Sequence, residues 1–243
     1  MSAFFTVHSG LSREGPGTAQ DVAWAVAAAV VPRSGAICDV GCGPGADIPA
    51  LSDAVPEGSV TALDRHVPFL AEAVSRGHGR LAKLVEGVLI SGQTGLPDPV
   101  TLGPFDMIWS AGAAYFEPLP MLLSHWRRAL TASGAVALSY PVYFGAPDAA
   151  SRAFWGGDAD VVMTEAELDE VIHQTGWGIV ARTRVSDDGW LAYYEALEAR
   201  CDMLSEISSS ALRLAIEEAR CEARDWRRVR DKVGYALRVM RPL

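Results

Sequence analysis

Two features near the start of the chain have types and spacings that fit chemistry. The first is the run Asp39-Val40-Gly41-Cys42-Gly43-Pro44-Gly45. Glycines at that density let a backbone approach a ligand closely and adopt positive φ. An apolar stretch, 36–40, leads into it and a helical pattern, 46–54, leads out. A strand feeding such a loop, with a helix beyond, places the loop where open sheets bind ligands. The second is Asp64, at the end of the next apolar stretch and 23 residues after Gly41. A carboxylate there can accept both hydroxyls of a ribose, so loop and acid together point to a nucleoside-bearing ligand. Further along, Tyr115, Glu117, Tyr140 and Tyr143 are groups that can take up a proton. Of these, Tyr115 and Glu117 are the catalytic candidates, each with a packing or helix-start role as its alternative.

The glycine loop also fits G-x-G-x-x-G/A, with Ala46 in the last position, so a nicotinamide oxidoreductase is a rival reading. Asp39 counts against it, because a carboxylate two residues before Gly41 is awkward beside a pyrophosphate. No Tyr is followed four residues later by Lys, and the two lysines are Lys83 and Lys232. About 35 residues precede the first strand, whereas dinucleotide motifs commonly open their domain.

The elements that must position these residues alternate. Helical pattern covers 18–31, 46–54, 68–75, 119–130 and 164–175; strand pattern covers 36–40, 60–63, 84–90, 105–109, 136–140, 178–185 and 235–240. Thr164 with Glu167 reads as a capping box. Alternation of this kind predicts an α/β fold with a doubly wound, mostly parallel seven-stranded sheet. The stretch 191–230 is helical with few breakers, so a helical cap is expected at 187–232, inserted before the last strand. The binding domain is then 1–186 plus 233–243, with 1–20 a possible lid that carries His8. Trp155, Trp190, Tyr193 and Tyr194 are expected to pack the cap.

Composition narrows the partners. The chain carries 21 basic and 30 acidic residues, a net charge of −9, which repels phosphate backbones, so no nucleic-acid partner is expected. The basic stretch 220–232 is interleaved with Glu217, Glu218, Glu222, Asp225 and Asp231 and reads as a solvated helix face. Cys38, Cys42, Cys201 and Cys221 form no C-x-x-C pair and lie near no histidine at zinc spacing, so neither a metal site nor a disulfide scaffold is expected. No signal-peptide pattern opens the chain, and the longest apolar run, 22–31, is too short to span a bilayer. A cytoplasmic protein without a membrane partner, monomeric or homodimeric, is the expectation.

With these residues in view, the run 38–45 resembles motif I of class I S-adenosylmethionine-dependent methyltransferases. Leu63-Asp64 is similar to their acidic second motif, and 105–110 to their fourth-strand motif. Gly15-Pro16-Gly17-Thr18 and Trp109-Ser110-Ala111-Gly112-Ala113 resemble segments of bacterial small-molecule methyltransferases of the UbiE/trans-aconitate type. The resemblance spans 15–140. It implies a Rossmann-like fold, S-adenosyl-L-methionine as cofactor, and in-line methyl transfer to a small-molecule acceptor. Carried over by position, it implies that Gly41, Cys42 and Gly43 line the methionine part, with Asp39 near its ammonium. It puts Gly15 and Thr18 over the carboxylate, Asp64 on the ribose, and Arg65 against the adenine. Ser110 and Ala111 fall beneath the sulfonium. Where relatives carry an acid for the adenine amino group this chain has Gln93 and Thr94, and Ala111 stands where many carry Glu. Those departures keep open a second reading, a non-catalytic cofactor-binding homologue.

Overall fold

The computed structural model describes residues 3–76, 82–86, 96–206 and 209–243. In chain order the elements are α1 (Ala3–His8), α2 (Ala19–Ala29), β1 (Ala36–Val40), α3 (Ile48–Ala54), β2 (Ser59–Asp64) and α4 (Val67–Arg76). Next come β3 (Ala82–Glu86), β4 (Phe105–Ser110), α5 (Leu119–Trp126), β5 (Leu130–Tyr143), α6 (Ala149–Trp155) and β6 (Met163–Thr164). The chain ends with α7 (Glu165–Gln174), β7 (Trp177–Arg184), α8 (Asp187–Ser205), α9 (Ser210–Val229) and β8 (Val233–Pro242).

Seven strands form one sheet in the order β3-β2-β1-β4-β5-β8-β7, and the two-residue β6 pairs with β5 beside that path. The first five strands pair in parallel, while β8 runs antiparallel between β5 and β7. This is the expected mostly parallel, doubly wound sheet. Ile37, Cys38, Asp39 and Val40 are all buried, as a central strand covered on both faces requires. The order reverses direction between β1 and β4, so their carboxyl ends open a crevice of the kind that holds ligands.

Local chemistry explains most helix starts. Thr18 caps α2: its hydroxyl accepts from the Asp21 amide at 3.3 Å, and Asp21 accepts from the Thr18 amide at 2.7 Å. Thr164 and Glu167 make the expected reciprocal pair at α7. Two details add to the expectation and one corrects it. The run 191–230 is not one helix, because Ser209 caps a new one by accepting from the Leu212 amide. The short helices α1 and α6 are additional elements. The helix expected to reach Leu130 gives way to a tighter turn at 127–129, after which β5 begins.

The helices α8 and α9 share an apolar core with the N-terminal segment. Trp190 stacks on Trp226 with ring centroids 5.5 Å apart, and Tyr194, Tyr235, Val7 and Leu11 pack in the same cluster. Burying side chains of this size contributes roughly 1.5–3 kcal/mol each, which is what ties residues 3–11 down onto α8 and α9. The basic stretch 220–232 is largely solvated and paired, and three of its arginines reach across to α8, Arg230 by meeting Asp187. Arg220 meets Asp202, and Arg227 meets Glu198.

Candidate functional site

One cavity sits at the carboxyl ends of β1, β2 and β4, lined by the glycine loop, by Asp64-Arg65-His66, and by Ala111-Gly112-Ala113. The segment Arg13–Pro16 and the side chains of Phe4 and Phe5 close it from above. Gly41 and Gly45 hold φ of +79° and +85°. A Cβ on Gly41 would stand 2.6 Å from the Ala113 Cβ, and one on Gly45 would stand 3.0 Å from the Ala73 backbone. Only glycine satisfies both the dihedral and the contact at these points. The loop is pinned to β2: the amides of Gly41 and Cys42 donate to the Leu63 carbonyl at 2.9 and 3.0 Å.

The carboxylates differ in what they touch. Asp64 is buried, and both oxygens accept backbone N–H groups, from Gly43 at 2.8 Å and from His66 at 2.7 Å. Burial raises its pKa, and these two hydrogen bonds only partly oppose the rise. Each oxygen keeps a further lone pair for a hydroxyl. Asp39 is 2% exposed, and its Oδ2 has no hydrogen-bond partner among the described residues. Burial drives the Asp39 pKa well up, and Asp47 and Asp64 add to the rise while Arg13 opposes it. Such a group gains most from a ligand that brings it a donor and a positive charge. Asp47 stands at the N-cap position of α3, but its side chain does not cap the helix. It is held by Arg13, whose Nη1 lies 3.2 Å from Oδ2, and by the Trp109 indole N–H at 2.9 Å. Trp109 is itself the register partner of Asp39 across β1 and β4.

Gly15, Asp39, Gly41, Cys42, Gly43, Asp64, Arg65, Ala111 and Tyr115 come together on this cavity. Three other candidates lie outside its lining. The Thr18 hydroxyl is spent on the cap of α2. Ser110 is fully buried and donates to the Val40 carbonyl at 2.9 Å, tying β4 to β1. Glu117 is 5% exposed, with one carboxylate oxygen that has no hydrogen-bond partner among the described residues. Gln93 and Thr94 lie outside the described residues. Arg65 is placed over the Phe116 ring, 5.8 Å from its centroid. Tyr115 shares a side-chain hydrogen bond with the buried Tyr235 of β8. Tyr140 is buried off the cavity, and burial pushes its phenol up to about 12.

Sequence reasoning named 1–20 as a possible lid with His8 but missed most of the residues that cover the cavity. Phe5 stacks on His66 with centroids 4.1 Å apart, His8 Nδ1 lies 2.8 Å from Glu14 Oε2, and Arg76 donates to the Leu11 and Ser12 carbonyls. Arg13 and Glu14 stand directly before the Gly15 turn, and that adjacency was the available pointer to them. Asp47, 34 residues away from Arg13, had none.

Among the described residues no group of three or more His, Cys, Asp or Glu can hold a metal ion, and no helix is long and apolar enough to cross a membrane. Residues 37–134 match the family model of a methyltransferase domain. No curated protein matches the sequence. Among solved structures, the chain is similar to an S-adenosylmethionine-dependent methyltransferase from Geobacter sulfurreducens in complex with S-adenosyl-L-homocysteine. The TM-score is 0.82 at 16% identity, over 99% of this chain and 98% of that one. It is also similar to one from Thiobacillus denitrificans in the same complex, with a TM-score of 0.80 at 15% identity over 100% of both chains. YjhP from E. coli superposes with a TM-score of 0.82 at 15% identity over 99% of each chain. At these identities the likeness shows a shared fold.

Proposed function

We propose that this chain transfers a methyl group from S-adenosylmethionine to a small-molecule acceptor. The observation that carries the reading is the convergence of Asp39 and Asp64 on one cavity from either side of the glycine loop. The residues fit a ligand with an ammonium at one end and a ribose at the other. Asp39, with its unsatisfied buried oxygen, takes the ammonium. Arg13, beside Gly17, takes the carboxylate. Asp64 accepts the ribose hydroxyls, and His66 and Phe69 border the base. The matched methyltransferase model over 37–134 and the neighbours solved with S-adenosyl-L-homocysteine support this choice of ligand.

When bound, the cofactor supplies an already activated methyl group, so the protein's main task is alignment. Tyr115, anchored by Tyr235, forms one wall for the acceptor. Phe4 and Phe5 on α1 cover the cavity and limit water. Phe4 and Phe116 are 56% and 51% exposed at its mouth, which suits an apolar small molecule better than a highly charged polymer. A dinucleotide reading is disfavoured because Asp47 stands at the start of α3, where a pyrophosphate would need bare amides. Calorimetric titration with S-adenosylhomocysteine tests the proposal. Saturable binding by the wild type and its loss in Asp64→Ala are the expected results; no binding at millimolar ligand overturns it.

A further inference from the structure

Among the described residues four carboxylates line the cavity, and three are committed. Asp47 is taken by Arg13 and Trp109, and the proposed cofactor claims Asp64 through its ribose and Asp39 through its ammonium. The fourth is Glu14. Its side chain is 20% exposed, its Oε2 meets His8 Nδ1 at 2.8 Å, and its Oε1 is buried without a hydrogen-bond partner among the described residues. His8 is held in turn by stacking on Phe4 at 4.1 Å. Glu14 is an electrostatic neighbour of Tyr193 on α8, which also neighbours Tyr115. The oxygen without a partner therefore belongs to a carboxylate that lines the same cavity as Phe4 and Tyr115. A carboxylate with aromatic neighbours favours a cation that can donate N–H, through a charge-assisted hydrogen bond and through the negative faces of the rings. Arg65 stands over the Phe116 ring, while Phe4, backed by His8, and Tyr115, backed by Phe116 and Tyr140, line the cavity where the body of the ligand would lie.

We infer that Glu14 is the docking carboxylate for a cationic amine whose apolar body lies against Phe4 and Tyr115, and that this nitrogen is the methylated atom. The inference rests on the methyltransferase reading above. A proton passes from the bound ammonium to Glu14, which His8 holds in place. The freed nitrogen lone pair forms the bond to the methyl carbon, and the carbon–sulfur bond breaks with its pair left on sulfur. The product departs as the methylated ammonium, and Glu14 gives its proton to water at its exposed edge.

The test is calorimetry on protein saturated with S-adenosylhomocysteine, using benzylamine, benzyl alcohol and benzoate as probes. Benzylamine is expected to bind, with the alcohol and the acid each weaker by about tenfold or more, the scale of one charge-assisted hydrogen bond. Glu14→Gln should remove that preference while leaving the affinity for S-adenosylhomocysteine unchanged. Benzoate or benzyl alcohol binding as tightly as the amine overturns the inference, as does the absence of saturable amine binding. A fall in S-adenosylhomocysteine affinity in Glu14→Gln also overturns it, since Glu14 would then serve the cofactor. The three-probe comparison on the wild type needs no variant to fold. Failure of the wild type to bind S-adenosylhomocysteine at all would instead strike the underlying methyltransferase reading.

Discussion

Two carboxylate clusters border this sheet, and they are built in opposite ways. At the crevice, Asp39 and Asp64 are buried with raised pKa values, and one Asp39 oxygen has no partner among the described residues. On the β7–β8 side, Arg238 is 2% exposed and donates to Asp169 at 2.6 Å and to Glu165 at 3.2 Å. Arg182 and Arg184 complete that set from β7, meeting Asp169 and Glu165 respectively. There, partial burial pushes the carboxyl groups up, but hydrogen bonds from the arginines outweigh it and hold both below their usual range. One cluster is satisfied by the fold alone. The other keeps capacity for something outside the chain. Buried polar groups left short of partners cost stability, and proteins tolerate that cost where a ligand makes it good.

That contrast can be broken from either side. The largest expected effect is on the saturated cluster: Arg238→Ala takes from Asp169 and Glu165 the buried partner they share, leaves each only its more exposed β7 arginine, and should cost about 3 kcal/mol in urea unfolding. Its affinity for S-adenosylhomocysteine should not change. At the crevice, Asp64→Ala should lower that affinity about a hundredfold or more, the worth of two hydrogen bonds to a charged acceptor. Asp39→Asn should weaken binding too, yet raise stability by about 1 kcal/mol at neutral pH, because a buried group no longer has to ionise. An Asp39→Asn variant less stable than the wild type at neutral pH would deny that the crevice stores this cost.

The pH dependence separates the clusters by sign. A raised folded pKa favours the native state below the ordinary carboxylate value, and that contribution is lost as pH rises through the folded value. The stability gain of Asp39→Asn should therefore grow from acid to neutral pH. Glu165 and Asp169 have lowered values. They stabilise above the ordinary carboxylate range and lose that contribution as pH falls through their folded values. Unfolding curves of Arg238→Ala against the wild type should converge in acid. The smallest effect belongs to Arg182→Ala: that arginine is 51% exposed, and its removal should cost under about 1 kcal/mol.

Much of the crevice is legible in the amino-acid sequence. The glycine spacing, the acid ending β2 and the alternation of elements are short-range patterns, and each maps onto one loop or one strand end. The capping residues Thr18 and Thr164 are equally local. The roof is legible only as a possible lid over 1–20; its helix and contacts are not, because α1 has six residues, is held by contacts to α8 and α9, and has no pattern of its own. The break between α8 and α9 has a local marker in Ser208-Ser209-Ser210, yet serine is compatible with a helix interior and the surrounding helical pattern masks it.

The sequence by itself determined the alternation of strands and helices, the loop that needs glycine, and the acid that ends β2, because backbone dihedrals and periodicity are set within a few residues. Tertiary structure alone decided which carboxylates are spent and which stay open. Arg13 reaches Asp47 across 34 positions, Tyr115 reaches Tyr235, and Arg238 reaches Glu165 across 73. A charge's partner and its burial are properties of packing, and so the split between structural acids and site acids appears only once the chain is folded.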